Sequence, residues 1–251
     1  MESKDNKALS RYIFGDVHGQ FEALMLLVAK IKPQPDDQLF FLGDLIDRGD
    51  QSAQVVSWVK DNGYPCLRGN HEQMCLEAHA HVDSHNLWRG WLHNGGSNTL
   101  ESYGTDQLPA DHLAWMRSLP LYLDLGDAWL VHAGLDPRLD IEEQSATEFC
   151  WIREEFHSST EPYFDDKLII TGHTITFVFP GVPAGHLALG KGWVDIDTGA
   201  YHPRSGWLTA LNLDEALVYQ ANVYTGQTRL CPFKELAVPV EPMPVRSSRW
   251  H

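Results

Sequence analysis

Five short apolar runs in this sequence each end abruptly at a cluster of glycine, aspartate, asparagine or histidine. The runs lie at residues 12–14, 39–42, 65–67, 129–131 and 168–170. Runs this short and continuous are typical of β-strands that are buried on both faces. In open α/β sheets the ligand crevice lies beyond the carboxyl ends of the strands. We therefore expect the polar residues that follow these runs to lie close together in the fold.

Helical patterns fill the gaps between the first runs. Apolar residues at positions 21, 24, 25, 28 and 31 have the spacing of a helix packed on a sheet. Valines at 55, 56 and 59 predict a second helix that stops near residues 62–63. Helices are also predicted at residues 73–81 and 110–118. Strand and helix thus alternate through the first seventy residues, which indicates an α/β sheet with parallel crossovers.

The C-terminal part has a different pattern. Residues 193–197, 207–213 and 217–223 predict neighbouring strands joined by tight connections, as in a meander. The segment from Pro232 onward is rich in proline and predicts a surface tail. With no internal repeat and no linker, we predict one domain at residues 1–231 and a Pro-rich tail at 232–251.

Composition excludes several classes of protein. The chain has 251 residues, 43% of them hydrophobic and 21% charged, which is typical of one large globular domain. Its net charge of -15 disfavours binding to nucleic acid and to anionic membranes. An anionic substrate would therefore need a local positive site.

The sequence also predicts a cellular compartment. The N-terminus is charged and lacks the apolar core of a secretory signal. The best apolar stretch, residues 23–29, is far shorter than the ~20 residues that span a bilayer. The four cysteines form no CxxC pair, which argues against a zinc ribbon and a disulfide framework. We predict a soluble, reduced, cytoplasmic protein.

The polar clusters at the strand ends have the composition of a metal site. Their candidate ligands are Asp16, His18, Asp44, Asn70, His132 and His173. A single Asp or His in such a place is more often a cap, a turn residue or a packed side chain. Similar polar clusters follow all five apolar runs, and chance placement of caps and turn residues does not explain that recurrence. Mixed oxygen and nitrogen donors suit manganese, iron or zinc better than calcium. Two cations about 3.5–4 Å apart need a bridging carboxylate, and Asp44 is central in the set.

These motifs resemble a known family. GDVHG at 15–19, GDLIDRG at 43–49 and GNHE at 69–72 are similar to the three signature motifs of PPP-type serine/threonine protein phosphatases. HAG at 132–134, GHT at 172–174 and DTGA at 197–200 follow in the order of the small bacterial and phage branch, exemplified by the bacteriophage lambda protein phosphatase. The resemblance covers residues 12–200. It implies the calcineurin-like metallophosphoesterase fold, a two-sheet β-sandwich flanked by helices, and we interpret the antiparallel C-terminal strands as the second sheet.

The resemblance also implies a dinuclear site and a reaction. Asp16, His18 and Asp44 correspond to the ligands of the first metal, and Asp44, Asn70, His132 and His173 to those of the second. The implied cofactors are two divalent ions, with manganese expected and iron or zinc as alternatives. The implied activity is hydrolysis of phosphoserine and phosphothreonine, and by extension phosphotyrosine, in proteins or peptides. The implied mechanism is direct attack on phosphorus by a water molecule that the metals would activate, without a covalent phosphoenzyme.

Four further side chains have roles implied by the same motifs. His71 corresponds to the general acid and Asp47 to the carboxylate that orients it. Arg48 corresponds to an arginine that grips phosphate oxygens, and Arg153 to a second one. The alternatives are a structural role for His71, an ion pair between Asp47 and Arg48, and a surface position for Arg153.

Two other functions stay open. Symmetrical dinucleoside tetraphosphate hydrolases resemble the chain in the first motif, but they tend to have Ala before the Arg of the second motif and Asp at the end of the third. Asp47 and Glu72 stand at those positions here and favour the phosphatase. The other alternative is a non-catalytic phosphate-binding scaffold, which would be expected to lack a ligand or the acid. Phosphodiesterases and nucleases of the superfamily usually carry a Gly-His-x-His motif. Ile175 stands here in place of the second histidine, which argues against those activities.

Overall fold

The computed structural model describes residues 9–243, which form an α/β sandwich of two mixed β-sheets flanked by helices. The strands are β1 (Arg11–Phe14), β2 (Gln38–Phe41), β3 (Tyr122–Asp124), β4 (Ala128–Val131), β5 (Leu168–Thr171), β6 (Leu187–Leu189), β7 (Trp193–Asp195), β8 (Trp207–Asn212), β9 (Leu217–Asn222), β10 (Thr228–Pro232) and β11 (Ala237–Pro239). One sheet has the order β10-β9-β8-β1-β2, and the other β11-β6-β7-β5-β4-β3. The predicted fold class is confirmed.

The helices cover the outer faces of both sheets. They are α1 (Phe21–Ile31), α2 (Ser52–Asp61), α3 (Asn70–Ala80), α4 (His85–Trp91), α5 (Ser97–Tyr103), α6 (Ala110–Ser118), α7 (Ala146–Trp151), α8 (Glu154–His157) and α9 (Phe233–Leu236), with a π-turn at Leu92–Gly96 and 3-10 turns at Ile141–Glu143 and Thr176–Val178. The periodicity predicted α1, α2 and α6 well. Helix α3 begins three residues earlier than predicted, so Asn70 and His71 lie in its first turn. Within residues 9–243, no helix is long and apolar enough to cross a membrane.

The core has three layers that explain the continuous apolar runs. Ile13 of β1 points between the sheets, where it packs with residues of the second sheet such as Leu130 and Ile170. Tyr12 and Phe14 of the same strand point to the other face, towards α1 and α2. Strands β1 and β2 are parallel and joined by the α1 crossover. The prediction of strands buried on both faces therefore holds for β1.

Two strand predictions are wrong. Of the three C-terminal strands that we interpreted as the second sheet, only β7 lies there, between β5 and β6, and it does not pair with β8. Strands β8 and β9 do not lie there, because β8 pairs with the free edge of β1 and extends the first sheet. The second sheet contains β4, β5 and β7 as parallel neighbours. Residues 65–67 form no strand, and only a single bridge joins Cys66 to Phe41.

The predicted surface tail is wrong for residues 232–243. Strand β11 pairs with β6 at the edge of the second sheet, where proline is tolerated because one side of the strand has no ladder to complete. Leu236 is buried between the sheets, and Val238 and Val240 pack against the outer core of the second sheet. Residues 244–251 of the predicted tail lie outside the described residues.

Acid should destabilise this fold through one buried histidine. His157 packs against Phe179 and Trp193. Burial, and then the charge of Arg153, lower the pKa of His157 from 6.5 to about 3. The unfolded chain takes up a proton here as the pH falls below 6.5, and the folded chain does not until about pH 3. Stability is therefore lost across that window.

We expect His157→Phe to flatten this loss of stability. The measurement is the urea midpoint at about pH 7 and about pH 4.5. His85→Phe, at an exposed histidine, is the matched control and should keep the wild-type slope. The same pH dependence in His157→Phe and the wild type would contradict the assignment.

Candidate metal centre and acid pair

The strand ends bring the predicted ligands into one cluster. Asp16 and His18 follow β1, and Asp44 follows β2. The other ligands are placed by α3, β4 and β5, which position Asn70, His132 and His173. All six of these side chains are at least 94% buried. The convergence expected from the carboxyl ends of the strands is therefore present.

The backbone around this cluster is strained. A positive φ is uncommon in residues other than glycine. Each such residue costs about 1–3 kcal/mol of conformational energy, and such residues cluster at functional sites. Five of the seven such residues between 9 and 243 are at this site: His18, Asp44, Asp47, Arg48 and His173. Their φ angles lie between 47° and 72°. The strained backbone is therefore concentrated at the candidate metal centre and the residues beside it.

The first ligand group surrounds His18. Its Nδ1 lies 2.9 Å from the carbonyl oxygen of Ile46 and must therefore carry the donated proton. The lone pair of Nε2 then faces Asp44 Oδ2 at 3.6 Å and Asp16 Oδ2 at 4.0 Å. Metal-bound histidines are usually held in this way by a second-nitrogen hydrogen bond.

The second ligand group surrounds His132. Its Nδ1 lies 2.9 Å from the carbonyl oxygen of Leu42, so Nε2 presents a lone pair. That lone pair faces Asn70 Oδ1 at 3.0 Å and Asp44 Oδ1 at 3.4 Å. Nδ1 of His173 lies 2.9 Å from the same amide oxygen. Asp44 thus turns one carboxylate oxygen to each group, as a bridging ligand must.

Two divalent cations fit these donors. The buried Nε2 of His173 has no hydrogen-bond partner among residues 9–243, and buried polar atoms normally have one. His132 Nε2 and Asn70 Oδ1 bring two electron-rich atoms together, which a cation would stabilise. Two buried triads of possible donor atoms share Asp44. One consists of His18, Asp44 and His71, and the other of Asp44, His132 and His173.

The electrostatics of the cluster also favour bound cations. Burial raises the pKa of Asp16 well above its ordinary value, and the negative charges of Asp197 and Asp44 raise it further. Burial alone would raise the pKa of Asp44, but the surrounding histidines hold it below its ordinary value. Several buried carboxylates so close together form a site that a metal ion would stabilise.

His71 and Asp47 form a buried acid pair beside these ligands. His71 Nδ1 lies 2.6 Å from Asp47 Oδ2, and Arg48 Nη2 lies 3.2 Å from Nε2. Because an arginine can only donate, Nε2 accepts and Nδ1 carries the proton. Burial lowers the pKa of His71, but Asp44 and Asp47 outweigh it and raise the pKa overall. The structure thus brings the predicted acid and its orienting carboxylate together.

Both predicted arginines reach the same cleft. A cavity of about 300 Å³ is lined by Arg48, Arg153 and four of the candidate ligands, namely His18, Asp44, Asn70 and His173. Arg48 lies 4.1 Å over the ring of Tyr201, and Arg153 Nη1 donates to the backbone oxygen of His173. A larger cavity of about 570 Å³, at residues 137–142 and 159–164, contains none of the predicted site residues.

Three residues of this site make contacts that the sequence did not assign. Trp91 and Thr99 both donate hydrogen bonds to the Asp47 carboxylate. Tyr201 stacks on the arginine and lines the cleft. For Thr99 the sequence offers no signal, whereas Tyr201 directly follows the DTGA motif and Trp91 begins the segment WLHNGG at 91–96. Glu72 of the third motif accepts hydrogen bonds from the backbone N–H groups of residues 44, 45 and 69.

A methyl group on Gly172 should disturb the site without unfolding the protein. A Cβ at this position would overlap Asp16 Oδ1, so the carboxylate would have to move. We expect Gly172→Ala to weaken metal binding about 10–100-fold, as found when ligand support is lost, while the unfolding midpoint of the metal-free protein changes little. Gly90→Ala in α4 has open space and is the matched control. Unchanged manganese affinity in Gly172→Ala, measured by calorimetry, would contradict a ligand role for Asp16.

Comparison with known proteins agrees with this geometry. The family model of calcineurin-like phosphoesterases matches residues 10–181. The symmetrical bis(5'-nucleosyl)-tetraphosphatase of Klebsiella pneumoniae strain 342 is 32% identical over 167 residues, which are 64% of this chain and 55% of that protein. Serine/threonine-protein phosphatase 1 of Salmonella typhimurium is 36% identical over 109 residues, 43% and 46% of the two chains. The chain therefore spans about half the length of these curated relatives.

Solved structures show the same fold at low sequence identity. A putative diadenosine tetraphosphatase superposes with a TM-score of 0.61 at 19% identity, covering 90% of this chain and 95% of that one. A cold-active protein-tyrosine phosphatase of a Shewanella species superposes with a TM-score of 0.59 at 18% identity, covering 88% and 80%. The chain belongs to the calcineurin-like phosphoesterase family, and its histidine and aspartate cluster fits the dinuclear divalent-metal site that this family uses.

Proposed function

We propose that the protein hydrolyses phosphate monoesters of serine, threonine or tyrosine in phosphoproteins and phosphopeptides. The observation that carries this proposal is the 2.6 Å contact between His71 Nδ1 and Asp47 Oδ2 beside the candidate ligands. An alkoxide leaving group is strongly basic and needs a proton as it departs, and a positioned imidazole supplies one. The phosphate leaving group of an anhydride is much less basic and gains less from such a donor.

The chain's residues divide the chemical work as follows. Asp16, His18 and Asp44 would hold one divalent cation, and Asp44, Asn70, His132 and His173 the other. Two bound cations would offset the charge of the phosphate and lower the pKa of a water molecule. Manganese is the proposed metal, with iron and zinc as the alternatives.

The remaining side chains bind the phosphate and move the proton. Arg48 and Arg153 would grip phosphate oxygens and supply the local positive charge that a chain of net charge -15 needs. His71 would donate a proton from Nε2 to the leaving oxygen while Asp47 stabilises the imidazolium. Arg48 contacts Nε2 in this structure, so a bound phosphate would draw the arginine away from the acid.

A symmetrical dinucleoside tetraphosphate is the second candidate substrate. The Klebsiella relative carries that activity in its name, and its alignment is longer than that of the Salmonella phosphatase. Similarity to curated proteins therefore supports this candidate better than the first, whereas the acid pair supports the first. The first proposal also includes membership of the small phage branch of phosphatases, a cytoplasmic location and phosphoproteins as the partners. Neither proposal includes a nucleic-acid or membrane partner.

One assay separates the two candidates. A single manganese-loaded preparation is tested on phosphoserine, phosphothreonine and phosphotyrosine peptides and on diadenosine tetraphosphate, and kcat/KM is compared. The first proposal expects the peptides to be preferred, with activity lost in a chelator and restored by manganese. A preference for the dinucleotide replaces the first proposal with the second. Inactivity on all four substrates, with retained phosphate binding, would support a non-catalytic scaffold.

The Asp47→Ala variant sharpens this assay, because it removes the carboxylate from the acid pair. If alkoxide protonation matters, peptide hydrolysis should fall by about 10²-fold while diadenosine tetraphosphate hydrolysis changes much less. An equal effect on both substrates would argue against the acid role that carries the first proposal.

A further inference from the structure

The indole of Trp91 contacts the acid pair from inside the core. Trp91 is the last residue of α4, and its side chain is fully buried. Its Nε1 lies 3.1 Å from Asp47 Oδ1 and 3.0 Å from Asp47 Oδ2. The N–H is the only polar group of this side chain, and it points at the middle of the carboxylate.

The Asp47 carboxylate is held by three donors. Thr99 Oγ1 donates to Oδ1 at 2.6 Å, His71 Nδ1 donates to Oδ2 at 2.6 Å, and Trp91 donates between them. Rotation of a carboxylate about its terminal bond is otherwise soft. Three donors at fixed positions remove that freedom, and Asp47 has no exposure to water that could replace one of them.

The plane of this carboxylate determines where the acid points. His71 is tied to Asp47 through Nδ1, so the orientation of the carboxylate sets the direction of the ring. The opposite nitrogen, Nε2, then lies 3.8 Å from Oδ2 of Asp44, at the edge of the candidate metal centre. A change in the carboxylate plane would swing Nε2 away from the place where the leaving oxygen must be.

The turn that follows Trp91 packs closely against the indole. The π-turn at Leu92–Gly96 follows Trp91 directly, and a Cβ on Gly96 would lie 2.6 Å from the indole ring. Gly95 in this turn has φ 109°, and its carbonyl oxygen accepts a hydrogen bond from the backbone N–H of Arg48. One short segment therefore supports both the acid pair and the phosphate-gripping arginine.

We propose that Trp91 is a positioning residue for proton donation: its N–H fixes the Asp47 carboxylate, and through it the direction of His71. The proposal rests on the proposed function, because it assigns Trp91 a part in the step that His71 performs. Protonation matters most for a strongly basic leaving group. The loss of Trp91 should therefore be felt on an alkyl phosphate and hardly at all on an ester whose leaving group departs without help.

The test compares two substrates in three variants. Trp91→Phe keeps the buried ring and removes the N–H, and Thr99→Val removes the second donor without a change of shape. Trp88→Phe, on the same helix and packed 5.6 Å from Trp91, is the matched control. On a phosphoserine peptide we expect kcat to fall about tenfold in Trp91→Phe and Thr99→Val, part of the roughly 10²–10⁴-fold that an acid contributes. On p-nitrophenyl phosphate the same variants should stay within about twofold, because this leaving group is weakly basic.

A spectroscopic measurement tests the contact apart from turnover. The proton on His71 Nδ1, in so short a hydrogen bond, should give a proton NMR signal downfield of the amides. This signal should shift in Trp91→Phe and Thr99→Val and stay in place in Trp88→Phe. An unshifted signal in both variants overturns the proposal, as does an equal loss of kcat on both substrates. Inactivity of the wild type on both substrates would reject the proposed function, and the NMR signal would still decide the positioning contact.

Discussion

Replacement of Asp44 by asparagine should abolish turnover. Asp44 is 98% buried, and its carboxylate faces His18 through Oδ2 and His132 through Oδ1. It is therefore the only predicted ligand that the structure places against both donor groups. An asparagine has one neutral oxygen donor in place of two charged ones and cannot serve both. The loss of about 4 kcal/mol of transition-state stabilisation corresponds to a decrease of about 10³-fold or more in kcat.

Metal content has to be measured together with the rate. We expect Asp44→Asn to retain less than the wild-type amount of manganese after desalting, quantified by inductively coupled plasma mass spectrometry. Asp50→Asn, at an exposed aspartate six residues away, is the matched control and should keep both activity and metal. Wild-type turnover by Asp44→Asn would refute the dinuclear centre.

The candidate ligands could be predicted because the sheet topology determines where they lie. Parallel strands that end at one edge of a sheet must deliver the residues that follow them to one place. Asp16 after β1 and Asp44 after β2 are direct cases, since these strands are hydrogen-bonded neighbours. Short apolar runs, glycines and motif order were enough to predict that both lie at this edge, along with the other four candidate ligands.

The position of the C-terminal strands was not predictable in the same way. Strand β8 pairs with β1 across two hundred residues, in the register Tyr12 to Asn212. A local apolar pattern identifies a strand but carries no information on which free edge it will meet. The proline-rich end is a similar case, because the pairing of Ala237 with Leu187 depends on an edge that only the finished sheet provides.

The support of the acid pair was hidden for a related reason. Thr99 lies 52 residues from Asp47 in sequence, and Trp91 lies 44 residues from it. Neither has a periodic spacing to the motif that it supports. The positive φ angles of Asp47 and Arg48 were equally invisible, because non-glycine residues adopt them only when the surrounding fold imposes them.

Replacement of His71 by asparagine should slow the reaction while the metals stay bound. His71 is close enough to His18 and Asp44 to be taken for a fourth ligand of the first cation, beside Asp16. Its Nδ1 is occupied by Asp47, and its Nε2 lies 3.8 Å from Asp44 Oδ2 with Arg48 against it. As an acid it should account for roughly 10²–10⁴-fold of the rate on a phosphoserine peptide.

Comparison with His132, a candidate ligand of the second cation, distinguishes an acid from a ligand. His132→Asn removes a lone pair that faces both Asn70 and Asp44, so it should lose manganese and activity together. His71→Asn should lose activity on the phosphoserine peptide, keep wild-type manganese affinity by calorimetry, and lose far less activity on p-nitrophenyl phosphate. If manganese affinity falls in both variants alike, His71 is a ligand and the proton for the leaving oxygen must come from elsewhere.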